Sequence, residues 1–268
     1  MTFLTDIGVN LTSPAFDKDR EEVLTSAEAA GVSPLVITGS DIEVSAAALA
    51  FVQSHTGKCY STAGVHPHNA KNWNADSPAR LRELVLSAPG KIVAVGECGL
   101  DYNRNFSSPE AQRKCFEDQL VLAAETGKPV FLHERDAFFD FSSILKRYRT
   151  NLPGAVVHCF TGGETELEAY LALDCYIGIT GWINDERRGG HLIPLLKTIP
   201  ADRLLLETDA PYLLPRNLPR SIRGKNSRNE PRFLPHIAAF AAEILGKTFD
   251  QLAAETSANA ARFFNFKN

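Results

Sequence analysis

The chain has no apolar run long enough to cross a membrane as a helix, and no C-x-x-C pair. Its start, Met1-Thr2-Phe3-Leu4-Thr5-Asp6, lacks the charged and apolar regions of a signal peptide. These absences point to a cytoplasmic protein without a membrane partner. The five cysteines are odd in number, which suits reduced thiols better than a disulfide framework. Cys98 and Cys159 are expected to pack against surrounding helices. There is no positive surplus either: the formal net charge is −4, so polyanion binding must come from a local patch. No repeat, linker or low-complexity segment divides the chain, so residues 1–268 are expected to form one domain, with no obligate protein partner indicated.

What is present is an alternation of short apolar runs and helical patterns over 268 residues, close to the roughly 250 typical of a single (β/α)8 barrel. Strands are expected near 2–7, 34–39, 59–65, 91–97, 129–133, 154–158, 175–180 and 203–208. Helices are expected near 17–31, 43–55, 78–88, 109–126, 137–148, 164–173, 190–199, 231–246 and 249–265. Ser108-Pro109 supplies a cap and a first-turn proline, Gly127 a helix stop, and Thr248 with Gln251 a capping box. The fold class is α/β, a (β/α)8 TIM barrel with its parallel sheet inside the helices.

Four apolar strands end in residues able to hold a metal: Glu97, His133, His158 and Asp209. Such groups are costly to bury without a partner. On successive strands, their ends converge at the C-terminal mouth, where barrels of this class keep their chemistry. Glu97 and Asp209 also serve as candidate catalytic groups, Asp209 as proton acceptor for the attacking water. His66, before Pro67, is a further catalytic or phosphate-binding candidate, and His68 a weaker one. Arg135 is placed to clamp a phosphate, with Arg104 a lesser candidate. Tyr102, Phe160, Trp182 and Tyr212 near strand ends are candidates for base stacking, against plain packing.

The segment 216–232 carries Arg216, Arg220, Arg223, Lys225, Arg228 and Arg232 against Glu230 alone. Following the eighth strand, it reads as a basic loop at the mouth, suited to phosphates. Its bland alternative is a solvated loop.

The motifs Asp6-Ile7-Gly8-Val9-Asn10-Leu11, Gly64-Val65-His66-Pro67-His68, Gly96-Glu97-Cys98-Gly99-Leu100-Asp101, Glu207-Thr208-Asp209-Ala210-Pro211-Tyr212 and Arg228-Asn229-Glu230-Pro231 resemble the TatD family of metal-dependent deoxyribonucleases. The resemblance runs across essentially the whole chain. It implies a barrel of the metal-dependent hydrolase (amidohydrolase-like) type. It also implies 3′–5′ exonuclease action on single-stranded DNA, with RNA left open as a second substrate, and roles in DNA repair or degradation. The family's metal ligands fall on Glu97, His133, His158 and Asp209, and a further active-site histidine on His66. Arg228 and Asn229 lie in a matching motif and are expected to bind substrate. The divalent metal is expected to be magnesium, with manganese or zinc as alternatives. Most relatives carry D-x-H-x-H at the start, whereas this chain has Gly8 and Asn10 there. One firm metal site is therefore expected, with any second ion leaning on Asp209, Glu97 and Asp6. Glu134 stands where close relatives often carry a small residue or cysteine, and is expected to face away from the site.

Two rivals remain open at this level. One is a metal-dependent hydrolase of small amides, esters or lactones on the same barrel, against which the basic loop argues. The other is a non-catalytic nucleic-acid binder, against which four costly polar groups at strand ends argue.

Overall fold

Eight parallel strands follow one another around a single sheet in chain order, β1 to β8. They are Leu4–Val9 (β1), Val32–Ile37 (β2), Cys59–Ala63 (β3), Ile92–Asp101 (β4), Val130–Arg135 (β5), Ala155–Val157 (β6), Cys175–Ile179 (β7) and Leu204–Leu206 (β8). The structure is a computed structural model and describes residues 3–223 and 228–266. The sheet closes where the chain just past β8 meets β1: Asp209 N donates to Gly8 O at 2.9 Å and Asn10 N to Ala210 O at 2.7 Å.

The strands are short and apolar on both faces because both faces are covered. Leu35, Val130, Leu132, Val157, Ile177 and Leu206 face an outer layer that includes Leu120, Phe141 and Ala241 of the surrounding helices. Their alternates Val36, Phe131, Val156, Tyr176 and Leu205 fill the barrel interior. Phe263 and Phe264 of the last helix pack into that inner cluster, so the interior is a solid core and not a channel.

The helices are Arg20–Ala29 (α1), Ile42–Ser54 (α2), Ser77–Ser87 (α3), Pro109–Thr126 (α4), Phe138–Tyr148 (α5), Glu164–Ala172 (α6), Leu192–Leu196 (α7), Arg220–Arg223 (α8), Leu234–Leu245 (α9) and Phe249–Phe264 (α10). The cap chemistry acts as expected. Ser108 Oγ accepts from Ala111 N at 3.2 Å, Gly127 ends α4 at φ +63°, and Thr248 and Gln251 bond reciprocally. Three elements differ clearly from expectation: β4, expected to end at Glu97, runs on to Asp101, and two helices change. The helix expected over 190–199 is only α7, because tight turns fill 185–191 around Asp185. The helix expected from 231 begins as a 3-10 turn at Pro231–Phe233.

Candidate active site

Alternation along the strands sets the site. Phe131, Val156, Tyr176 and Leu205 point into the barrel, so residues two further on point the same way at the next level up. Those are His133, His158, Gly178 and Glu207. Glu97 arrives from β4 between Gly96 and Gly99, at φ +135° and +144°. A Cβ on these glycines would lie 2.1 Å from Phe131 O and 1.9 Å from His133 O, so only glycine lets β4 run this close to β5.

Three imidazoles converge on one oxygen of Glu97. His158 Nε2 lies 2.8 Å from Oε1, His133 Nδ1 3.0 Å and His66 Nε2 3.4 Å. Glu97 is buried, and burial alone would raise its carboxyl. The His66 and His158 imidazoles outweigh burial and hold it well below the ordinary value. Burial pushes His66 down to about 4. For His133 and His158 burial works downward too, but neighbouring carboxylates raise both, Asp101 and Glu97 at His133, Glu97 and Glu207 at His158. The field of the pocket therefore favours a cation among these groups.

Donor atoms of His66, Glu97 and His133 lie within 4.8 Å of one another. His133 Nε2 is buried with no hydrogen-bond partner among the described residues, 3.7 Å from Asp101 Oδ2. Two imidazoles and a carboxylate, with an unpaired imidazole nitrogen beside them, are a donor set that fits a divalent ion. Asp209 stands at the β8 end, its Oδ1 accepting from Asn10 Nδ2 at 2.9 Å. Burial raises its carboxyl to about 7, with His158 opposing that rise and Glu97 adding to it. Of the expected residues, His133, His158 and His66 thus gather on Glu97, with His66 closer to the centre than the strand-end pattern implied, and Asp209 is near enough to feel the charges of His158 and Glu97.

Two carboxylates escape the strand-end pattern. Asp101 ends β4, accepts from the amides of Asn103 and Arg104 through Oδ1 at 3.0 and 2.9 Å, and pairs its Oδ2 with His68 Nε2 at 2.6 Å. Burial pushes Asp101 up, but His133 and His68 outweigh it and hold it below the ordinary range. Glu207 is fully buried, with Oε2 3.3 Å from His158 Nδ1 and Oε1 accepting from Cys159 N at 2.5 Å. Gly8 and Gly178 on the flanking strands make its room: a Cβ on either would meet a Glu207 oxygen at 2.3 or 2.5 Å. The space that a histidine at position 8 would need is thus filled by Glu207. The spacing Leu205-x-Glu207, parallel to Phe131-x-His133 and Val156-x-His158, was the signal for it.

Asp6 is engaged elsewhere. It accepts from Thr208 N and Oγ1 at 3.0 and 2.5 Å and from Gly8 N at 3.3 Å, so it ties β1 to the β8 end instead of opening toward an ion. Glu134 faces away, its Oε1 accepting from Ala137 N just ahead of α5 and its Oε2 from Tyr170 Oη at 2.9 Å. Cys98 packs in the outer layer. Cys159 does not; it is partly exposed, its Sγ 3.8 Å from Thr180 Oγ1.

Arg104 and Arg135 are exposed, and their backbones lie beside Asp101. Arg228 is not free: it binds Asp19, Glu230 and the Ala15 carbonyl and lies 4.6 Å over the Phe16 ring. Asn229 is buried, its Nδ2 donating to Thr208 O at 2.8 Å. Arg216 pairs with Glu186 and Arg232 with Glu230. Arg216, Arg228 and Arg232 are thus each paired with a carboxylate, Arg220 is exposed, and Lys225 lies outside the described residues.

A closed parallel barrel with imidazoles and carboxylates gathered at its C-terminal mouth is the arrangement of a TIM-barrel metal-dependent hydrolase. Within that class, residues 5–265 match the family model described as TatD related DNase, and the chain belongs to that nuclease family. It is 55% identical over 259 residues to a protein of Cronobacter sakazakii named 3′-5′ ssDNA/RNA exonuclease TatD, covering 97% of each chain. Among solved structures, it matches a TatD homolog of Escherichia coli, YjjV, at TM-score 0.87 and 29% identity over 98% of both chains. A TatD family hydrolase of Entamoeba histolytica matches at TM-score 0.86 and 26% identity over 100% of both chains. No helix of the described residues is long and apolar enough to cross a membrane.

Proposed function

We propose that the protein, acting as one barrel domain, is a metal-dependent exonuclease that removes nucleotides from the 3′ end of single-stranded DNA or RNA. The observation that carries this is the convergence of three imidazoles on one Glu97 oxygen, in a chain of a nuclease family. Glu97, His133, His158 and Asp209 would hold the ion, with His66 beside them. A divalent ion there, magnesium by the chemistry of phosphodiesters, supplies a lowered water pKa and stabilises charge on the phosphoryl oxygens.

The chain's own groups do the rest. Asp209, hydrogen-bonded by Asn10, orients the attacking water and takes its proton. His66 faces the phosphate being cleaved. Arg104 and Arg135, exposed on the same rim, neutralise its neighbour. Cytoplasmic action in DNA repair or degradation is the setting that fits.

Single-stranded oligonucleotides labelled at either end test this, in Mg²⁺, in Mn²⁺ and in EDTA, beside Glu97→Ala. The expected result is metal-dependent release of mononucleotides from the 3′ end, lost in the variant while its circular dichroism is unchanged. A folded, metal-loaded protein that cleaves no oligonucleotide would instead point to small amide, ester or lactone substrates. Full activity in Glu97→Ala would remove that residue from the centre.

A further inference from the structure

A second polar cluster lies at the mouth, outside the Glu97 site. Asp185, 3% exposed, follows the 3-10 turn at the end of β7. Its Oδ1 accepts from Arg187 N and Nε at 3.0 and 3.1 Å, and its Oδ2 from Arg187 Nη2 at 3.0 Å and Arg188 Nη2 at 2.9 Å. Arg216, from the loop after β8, comes within 3.6 Å of the same carboxylate and pairs with Glu186. The Arg188 guanidinium stacks 4.2 Å over the Trp182 ring.

Contacts place this cluster beside the catalytic strands. Trp182 N donates to Thr180 Oγ1, which is 3.8 Å from Cys159 Sγ, next to His158. His191 Nε2 lies 3.1 Å from Thr161 O, and a Cβ at Gly181 would meet Leu213 O at 2.5 Å. The cluster thus sits on the rim between the ends of β6 and β8.

Three features exceed what an ordinary surface ion pair needs. One buried acid gathers three arginines, yet their side chains stay 55%, 54% and 43% exposed. Two acids, Asp185 and Glu186, leave one of the three charges uncompensated. Trp182 Nε1 and both amide atoms of Asn184 are buried without hydrogen-bond partners among the described residues, a cost that a partner ordering this turn would offset. Arginines already oriented by a carboxylate lose less side-chain entropy when they bind a phosphate. A stacked arginine–tryptophan pair also offers a flat face to a base.

We propose that Arg187, Arg188 and Arg216, held by Asp185 and backed by Trp182, form a subsite for the sugar-phosphate backbone of the single strand, away from the bond being cut. This rests on the exonuclease reading. The site would make long strands bind better than dinucleotides, whose single internucleotide phosphate can occupy one place only.

Fluorescence anisotropy of a labelled 12-nucleotide DNA strand in EDTA reads binding without turnover, across a salt series. Arg187→Ala/Arg188→Ala is expected to weaken binding about tenfold and to flatten the slope of log K against log salt by about 1.4, for two lost phosphate contacts. Arg80→Ala, a distant arginine paired with Glu43, is the control and is expected to bind as wild type. Asp185→Asn separates a built site from a diffuse field. It makes the rim more positive, so a diffuse field predicts tighter binding, whereas loss of the anchor predicts weaker binding.

Tighter binding by a folded Asp185→Asn, or an unchanged slope in the double variant, would overturn the subsite. Should Asp185→Asn fail to fold, the arginine pair decides alone. The two readings fail separately. A wild type that cleaves strands while the double variant binds normally overturns the subsite only. A wild type that binds through these arginines but cuts nothing overturns the exonuclease reading and supports the subsite.

Discussion

Glu207 shows at the scale of one residue how the cluster is held. A histidine that ligates a metal is generally fixed by a hydrogen bond at its other ring nitrogen. Glu207 is placed to give His158 that bond, with its second oxygen pinned by Cys159 N and its volume allowed by Gly8 and Gly178. Glu207→Gln keeps the shape but removes the charge, so His158 loses orientation and basicity. Metal affinity measured by isothermal titration is expected to fall about 10–100-fold, with the circular dichroism unchanged. Wild-type affinity in this variant would show that Glu207 only fills space. Glu97, His133, His158 and Asp209 were legible because a polar group closing an apolar strand has few structural excuses. Glu207 and Asp101 were not: Glu207 sits two residues short of Asp209, and Asp101 lies four past Glu97, where β4 was expected to have ended. Only the strand alternation and the true length of β4 reveal them.

Among the elements, strands and long helices were legible because their apolar period and their caps agree, as in α4 and α10. The loop after β8 was not, because a charge count cannot tell a free arginine from a strapped one. Arg228 joins the Asp19 carboxylate ahead of α1 to Glu230, and Asn229 hangs from Thr208 O. Its side chain is about one-fifth exposed, so the pair is partly shielded from solvent. Arg228→Ala is therefore expected to cost about 2 kcal/mol and several degrees in Tm. It is expected to change KM for an oligonucleotide far less than Arg135→Ala does. A large rise in KM at unchanged Tm would restore Arg228 to phosphate binding. The shortened α7 has the same origin: Asp185 draws 185–191 into turns through contacts with arginines that no periodicity encodes.

For the whole molecule, the barrel depends on one seam, and Asp6 lies across it. β1 and the chain past β8 meet through only a few backbone bonds, and Asp6 adds two more across the seam from Thr208 N and Oγ1, with Gly8 N of its own strand as a third donor. Burial raises the Asp6 carboxyl to about 7, against the opposing hydrogen bonds from Thr208. The folded chain therefore keeps a proton that the unfolded chain, with an ordinary carboxyl near 3.8, has released. Its contribution to stability is complete below about pH 4 and is lost as pH rises through about 7, at up to about 1.4 kcal/mol per pH unit. Denaturant unfolding in EDTA at pH 5, 6 and 7 measures this against Asp6→Asn, which carries no titrating group. The wild type is expected to lose stability relative to the variant at each step upward. Parallel trends in the two proteins would mean that Asp6 is ionised in the folded barrel, and that the donors of Thr208 and Gly8 hold it as a carboxylate.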